Sequence, residues 1–207
     1  YSINRLTTIV NEELNFSKKE TIMPEEKVWL LIDRKNLVTL IPIDRFDLSK
    51  IVKSDNLPKL LKPVSTHDKL ILVSRLGKVY NLSLTNFYHS AKYLESQISL
   101  DKNDEIVKIL IQEKTKYLLL FFANGLGKKI KLEEVLSTRR TGILVAKEEV
   151  VDAFLVNGGE ILGSISEDGN ILLFRDSLPI QGKAAKGVKI MKLKNSRITR
   201  AFIKQSD

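Results

Sequence analysis

The chain has 207 residues, of which 43% are hydrophobic and 29% are charged, and its formal net charge is +9. This composition supports a packed core in one domain or two small ones and excludes a disordered chain. The absence of cysteine excludes disulfide frameworks, thiolate nucleophiles and iron–sulfur clusters. No apolar run reaches the roughly 18 residues of a membrane span, so we expect no membrane partner. Because the sequence begins at Tyr1, we expect a fragment of a longer polypeptide.

An apolar run, a turn and a second run recur four times along the chain. The paired runs cover residues 27–32 and 37–43, 69–74 and 78–84, 116–122 and 128–132, and 159–165 and 170–174. With Asn36, Gly77, Gly127 and Gly169 taken as equivalent turn residues, the spacings are 41, 50 and 42 residues. Asn and Gly accept the positive φ that tight turns need, so each pair is predicted to be a β-hairpin. The first strands are almost entirely apolar, which predicts burial on both faces.

Three further strands follow the hairpins at residues 104–111, 148–156 and 196–203, and shorter elements around 139–143 and 183–188 precede two of them. About four strands in each 40–50 residues are typical of a propeller blade. The predicted fold is therefore all-β and propeller-like, with about four four-stranded blades in an open or incomplete disc. The predicted repeats are approximately 22–66, 67–115, 116–157 and 158–207, after a leading segment 1–21. Residues 2–10 are a candidate strand that completes a blade, 86–95 and 131–136 are candidate short helices or turns, and 47–66 and 88–103 are predicted irregular connectors.

Positive charge is concentrated at the C-terminal end. Residues 175–207 contain nine basic and two acidic residues, and the stretch 183–200 contains seven basic residues and no acid. Such a dense cluster repels itself and is compensated by an anionic partner. Duplex nucleic acid is favoured, because binding many phosphates releases counterions. A solvated basic face with no partner is the alternative.

The repeats resemble the C-terminal domain of the A subunits of bacterial type IIA topoisomerases, DNA gyrase and topoisomerase IV. The fourth repeat carries EDGNILLF (167–174) and then GKAAKGVKIMKL (182–193), and the third carries ANGLGKKI (123–130) and then RRTGI (139–143). The stretches RLTTI (5–9) and IMPEEKV (22–28) are similar to the family's transition from its coiled-coil arm into the first blade.

This resemblance implies a β-pinwheel, a propeller-like disc whose blades exchange strands and whose basic rim bends or wraps duplex DNA. It implies three partners: double-stranded DNA, the N-terminal catalytic part of the same polypeptide, and the ATP-hydrolysing B subunit. Cleavage and ATP hydrolysis belong to those other parts, so we expect an accessory domain that is not itself an enzyme and needs no cofactor. The implied location is cytoplasmic and nucleoid-associated.

One difference from gyrase bears on the function. The gyrase first blade carries the box QRRGGKG, whereas residues 44–50 here contain no glycine, and a degenerate relative, QGKAAKG, lies at 181–187. This favours a topoisomerase IV-type protein that presents the transported DNA segment. The alternatives are a gyrase domain that wraps DNA for negative supercoiling and a propeller that binds another protein.

The candidate DNA contacts are basic residues at the predicted turns and rim loops. They are Arg34, Lys35, Arg75, Lys78, Lys128, Lys129, Arg139, Arg140, Arg175, Lys183, Lys186 and Lys189. Those at 139–140 and 183–189 match the family loop. No catalytic or metal site is predicted: Glu12 and Glu13 point to opposite faces of a strand, and His67 and His89 have no partners at ligand spacing.

Overall fold

A computed structural model describes residues 23–52 and 57–204. Nearly all of its regular structure is β-strand, which confirms the predicted fold class. The strands are β1 Lys27–Ile32, β2 Leu37–Pro42, β3 Leu60–Ser65, β4 Lys69–Ser74, β5 Lys78–Ser83, β6 Lys92–Tyr93, β7 Ile106–Ile111, β8 Tyr117–Phe122, β9 Leu126–Lys131, β10 Ile143–Leu144, β11 Val150–Val156, β12 Ile161–Ser166, β13 Ile171–Arg175, β14 Val188–Lys189 and β15 Ile198–Lys204. The helix α1 spans Leu48–Val52, and 3-10 turns span Ile43–Arg45, Leu84–Phe87, Leu94–Ser96 and Leu132–Glu134.

The strands form four antiparallel sheets, which we call blades 1 to 4. Their strand orders are β3-β1-β2-β6, β10-β5-β4-β7, β11-β8-β9-β14 and β13-β12-β15. Each blade contains one of the four predicted hairpins. The first strand of that hairpin also pairs with a later long strand of its own repeat, which is β3, β7, β11 or β15 in blades 1 to 4 respectively.

The fourth strand of blades 1 to 3 comes from the next repeat. β6 follows the blade 2 hairpin but pairs with β2, β10 follows the blade 3 hairpin but pairs with β5, and β14 follows the blade 4 hairpin but pairs with β9. This is the strand exchange that the family resemblance implied. Blade 4 differs from the predicted four strands, because within the described residues nothing pairs with the free edge of β13.

The hairpin turns contain one residue each in the left-handed region: Asn36, Gly77, Gly125 and Gly169. The prediction that Gly127 is the third equivalent turn residue is wrong. Gly127 lies inside β9, where a Cβ atom would overlap the Ile190 side chain. With Gly125 in its place, the spacings become 41, 48 and 44 residues.

Three apolar clusters lie between successive blades, and they hold the blades in a row. Leu30 of blade 1 packs with Leu72 of blade 2 in the first cluster, and Val79 of blade 2 packs with Leu120 of blade 3 in the second. Phe121 of blade 3 packs with other side chains of blades 3 and 4 in the third. Strands β4 and β8 are buried on both faces, as predicted, because each contributes to the clusters on either side of its sheet. The same prediction is wrong for β1 and β12, in which only one face is fully buried.

The connector 47–66 is more regular than predicted. It contains α1 and β3, and Pro63 lies inside β3. Proline lacks a backbone donor, so it weakens a strand prediction, yet it is compatible with an edge strand such as β3. The connector 88–103 also contains β6. The candidate strand at 2–10 lies outside the described residues. Among the described helices, none is long and apolar enough to cross a membrane.

Candidate nucleic-acid interface

Two basic loops lead into the exchanged strands β10 and β14. We call residues 137–144 and 181–189 the second and third exchange loops, and residues 88–93, which lead into β6, the first. Gly142 and Gly187 immediately precede β10 and β14 and have φ values of 66° and 99°. A Cβ atom at Gly142 would lie 2.7 Å from the Tyr80 ring, and one at Gly187 would lie 2.8 Å from the carbonyl oxygen of Gly127. Both loops therefore need glycine in order to approach the preceding blade closely.

Hydrogen bonds connect the second and third exchange loops to the segments that follow the preceding exchanged strands. The Arg140 guanidinium donates to the Ser96 carbonyl at 2.7 Å, and the Ser99 amide donates to the Arg140 carbonyl at 2.7 Å. The Lys128 ammonium donates to the carbonyls of Val145 and Lys183 at 2.6 Å each. The loops and the hairpin turns beside them thus form a continuous rim.

The third exchange loop carries the largest uncompensated charge on this rim. Lys183, Lys186 and Lys189 are exposed, and none of them has a carboxylate partner in the described part of the chain. Lys192 and Lys194 follow the loop in the same exposed, unpaired state. Both residues belong to the basic stretch 183–200 but were not among the predicted DNA contacts. Their close spacing to the other lysines was a signal that could have identified them.

Arg197 is the exception in this run, because its guanidinium lies 2.8 Å from the Glu149 carboxylate. The ion pair connects the start of β15 to the start of β11. This basic residue is therefore partly neutralised, whereas its lysine neighbours are available to phosphate.

Four further candidates are exposed on the rim. Arg139 and Arg140 lie in the second exchange loop, and Arg34 and Lys35 lie in the β1–β2 turn. The turn is close to the first exchange strand, because the Leu94 amide donates to the Asn36 carbonyl at 3.0 Å. Their charges extend the basic rim toward blade 1.

Arg175 is also exposed, at the end of β13. Its guanidinium donates to the Gly159 carbonyl at 2.9 Å. This contact fixes the side chain over the loop before β12 but does not neutralise its charge.

Blade 2 carries basic residues whose charge is compensated internally. The Lys78 ammonium lies 2.6 Å from the Asp101 carboxylate, and the Arg75 guanidinium lies 3.5 Å from that of Glu105. Arg75 also donates to the Asn103 carbonyl at 2.6 Å. DNA would have to compete with these partners, so both residues are weaker candidates than the lysines of the third loop.

The structure contradicts the prediction that Lys128 and Lys129 face DNA. Both lie in β9 and are 0% and 5% exposed. The Lys129 ammonium lies 3.0 Å from the carboxylate of Asp176, which is itself buried. Neighbouring strand residues point to opposite faces, and both faces of β9 are covered by adjacent blades. The position of Lys128 and Lys129 close to a turn in the sequence did not reveal that the adjacent blades bury them.

Burial lowers the pKa of the Lys128 ammonium, and the negative charge of Glu148 opposes this shift. Its two carbonyl partners compensate for part of the lost hydration. Within the described ranges, no group of three or more His, Cys, Asp or Glu side chains is placed to hold a metal ion.

Comparison with known proteins gives related sequences across most of the chain. The sequence model of the DNA gyrase C-terminal domain, described as a beta-propeller, matches residues 116–157 and 165–203. The chain is 28% identical over 189 residues to the A subunit of DNA gyrase from Leptospira biflexa, covering 82% of the chain and 22% of the relative. It is 26% identical over 198 residues to the A subunit of DNA topoisomerase 4 from Rickettsia conorii, covering 92% of the chain and 26% of the relative. The chain thus spans about a quarter of these relatives' length.

Solved structures show the same fold. The C-terminal domain of a DNA topoisomerase IV superposes with a TM-score of 0.74 at 22% identity, covering 89% of this chain and 63% of that one. The E. coli ParC C-terminal domain superposes with a TM-score of 0.69 at 16% identity, covering 86% and 79%. The resemblance predicted from the repeats is confirmed. The similar proteins include A subunits of both gyrase and topoisomerase IV, so the comparisons do not distinguish between the two.

Proposed function

We propose that this chain, which resembles the C-terminal domains of the A subunits of bacterial type IIA topoisomerases, binds duplex DNA without sequence preference and bends it along the exchange-loop rim. One observation carries the proposal: Lys183, Lys186 and Lys189 are exposed and have no carboxylate partner in the region that the structure describes. Phosphates along a duplex reward such a row of free cations by counterion release.

The proposed binding is to the backbone and not to the bases. The unpaired residues of the rim are lysines and arginines, which position a protein on phosphates without reading sequence. The second and third exchange loops contain no aromatic residue that could stack on exposed bases. Duplex DNA that follows a curved rim gains further phosphate contacts, which offset a bending cost of a few kcal/mol.

A triple substitution tests this site. Lys183, Lys186 and Lys189 are changed together to Gln, and binding to a fluorescent duplex of about 40 base pairs is measured by anisotropy. At about 0.1 M salt each lost phosphate contact lowers the affinity by about eightfold, so we expect a loss of at least a hundredfold. The matched control changes Lys69, Lys116 and Lys131 to Gln. It removes the same charge from exposed positions at the ends of the hairpins that lie farthest from the turns.

The control is expected to weaken binding by only a few fold, through the loss of net charge. Equal losses in the two triple variants would contradict a localised site. Binding that ignores both variants and hardly depends on salt would favour the alternative of a propeller that binds another protein.

We further propose that the parent is a topoisomerase IV-type enzyme in which this accessory domain presents the transported DNA segment. The glycine-containing box QRRGGKG of the gyrase first blade has no counterpart in residues 44–50, which contain no glycine. This stretch instead forms part of a 3-10 turn and the start of α1, and the difference supports the topoisomerase IV assignment. In this proposal the N-terminal part of the same polypeptide cleaves DNA, and the B subunit hydrolyses ATP in the cytoplasm at the nucleoid. The domain itself contributes no catalytic residue and no cofactor.

The alternative is a gyrase domain that wraps DNA. The reconstituted parent enzyme separates the two: ATP-dependent decatenation without negative supercoiling is expected here. Introduction of negative supercoils into relaxed plasmid would instead assign the domain to the gyrase type, while leaving the proposed DNA-binding rim intact.

A further inference from the structure

The third residue after the hairpin turn occupies an equivalent place in each blade. Tyr80 follows Gly77 and pairs with Leu72, and Lys128 follows Gly125 and pairs with Leu120. Both side chains are completely buried, and both carry a polar donor at their far end. A buried donor at the same repeat position in two adjacent blades calls for a common explanation.

Each of these side chains connects the exchange loop of its own blade to the segment that follows the preceding exchanged strand. The Tyr80 ring packs against Gly142 in the second loop, and its hydroxyl donates to the Ser99 carbonyl at 3.4 Å. The Lys128 ammonium donates to the Lys183 carbonyl in the third loop and to the Val145 carbonyl after β10, at 2.6 Å each.

Blade 4 provides an internal comparison. Its equivalent residue is Leu172, three positions after Gly169, and in the described chain no exchanged strand pairs with β13. An apolar residue thus occupies this position in the blade for which residues 23–52 and 57–204 provide no exchange loop. At Lys128 a leucine or methionine would fill the space without the cost of burying an ammonium group, so the lysine is not explained by packing alone.

We propose that Lys128 is a positioning residue for DNA binding: its ammonium holds the third exchange loop against the segment after β10, so that Lys183 and Lys186 face the phosphate backbone. Lys128 does not contact DNA. This inference rests on the proposed function, because it assigns a role within the same rim. It predicts that loop order and DNA affinity change together when the two hydrogen bonds are removed.

The variant Lys128→Met tests the inference, since methionine fills a similar volume and cannot donate a hydrogen bond. Two quantities are measured: affinity for the labelled duplex, and hydrogen exchange of the Ala185 amide, which donates to the Gly182 carbonyl at 3.1 Å within the loop. We expect about a tenfold loss of affinity, equivalent to roughly one phosphate contact at 0.1 M salt, together with faster exchange at Ala185.

Lys131→Met is the matched control, because Lys131 lies in the same strand but is exposed and bonds to neither loop. It should leave the Ala185 exchange rate unchanged and alter affinity by less than about threefold. If Lys128→Met does not fold, Lys128→Leu, which also lacks a donor group, provides the same pair of measurements.

The inference is overturned if a folded Lys128 variant binds DNA like the wild type, or if affinity falls while Ala185 stays fully protected. The second result would mean that the buried charge acts directly. If wild-type protein does not bind duplex DNA, the proposed function fails. The exchange rate of Ala185 then still shows whether Lys128 holds the loop.

Discussion

The buried residues of β9 show how strongly the surroundings determine the role of a lysine. Lys128 and Lys129 follow a hairpin turn, as exposed rim cations would, yet the adjacent blades cover both. Lys183 and Lys186 have the same side chain but are exposed. Sequence spacing identified all four as basic residues near turns. Only the packing of neighbouring blades shows that Lys128 and Lys129 form internal hydrogen bonds, whereas Lys183 and Lys186 can reach a phosphate.

The Lys129–Asp176 pair yields a stability prediction. Asp176→Asn leaves the buried ammonium without its counter-charge, so the free energy of unfolding should fall by about 3–5 kcal/mol. The comparison is Glu149→Gln, which breaks the partly exposed Arg197 pair and should cost about 0–1 kcal/mol. Urea denaturation measures both. Similar losses in the two variants would show that burial does not govern the strength of the Lys129 pair.

Tyr80 yields a prediction for alkaline pH. Burial, with smaller effects of Asp104 and Asp101, raises the pKa of its phenol to about 12 from 10.0. The unfolded chain therefore releases this proton at lower pH than the folded protein does. The resulting contribution lowers the free energy of unfolding as pH rises from about 10 to 12, by about 2 kcal/mol in all. Tyr80→Phe should remove this part of the pH dependence. An unchanged slope in the phenylalanine variant would contradict ionisation of Tyr80 as its source.

At the level of elements, the third exchange loop depends on a residue without a side chain. Gly187 has a φ of 99°, and a Cβ atom there would lie 2.8 Å from the Gly127 carbonyl oxygen. Gly187→Ala should lower the free energy of unfolding by about 1–3 kcal/mol and weaken DNA binding. Gly182 lies in the same loop, with no atom within 4 Å of its Cβ position. Gly182→Ala should change stability by less than about 1 kcal/mol. Thermal unfolding distinguishes the two, and equal effects would contradict the close approach at Gly187.

The edge strand β13, which has no partner beyond β12 in the described part of the chain, gives a second comparison between equivalent elements. Val79 is completely buried and pairs with Ile143 of the exchanged strand β10, whereas Ile171, at the equivalent position after its turn, is 64% exposed. Val79→Thr buries a hydroxyl and should lower the free energy of unfolding by about 1–3 kcal/mol. Ile171→Thr should cost less than about 0.5 kcal/mol. A large loss at Ile171 would indicate that another segment covers β13 in solution.

The hairpins could be predicted from sequence because apolar runs and turn residues are local features. The strand β3 could not, because Pro63 argues against a strand unless its place at a sheet edge is known. The pairing of the two-residue strands β10 and β14 also depends on a neighbouring blade. Their positions were marked in the sequence by Gly142 and Gly187, whereas their partners were not.

At the scale of the whole molecule, the four blades form a row joined by three apolar clusters. In the described part of this row, uncompensated positive charge is greatest beside blades 3 and 4. Blade 2 neutralises Arg75 and Lys78 with nearby carboxylates, while the third exchange loop and the residues after it have free lysines. We therefore expect DNA to bind mainly beside blades 3 and 4. The net charge of +9 predicts DNA binding from the sequence alone. Which of the basic residues are free to bind DNA depends on the internal ion pairs, which only the structure shows.

The salt dependence of duplex binding tests the central claim most directly. Anisotropy titrations of a duplex of about 40 base pairs are repeated between about 0.05 and 0.3 M salt, with two unrelated sequences. The free cations beside blades 3 and 4 are Lys183, Lys186, Lys189, Lys192, Lys194 and Arg175. Five or six such contacts predict that the logarithm of the association constant falls against the logarithm of salt concentration with a slope of about −5, equally for both sequences. A slope near zero, or no binding at the lowest salt, would contradict DNA binding through the exchange-loop rim.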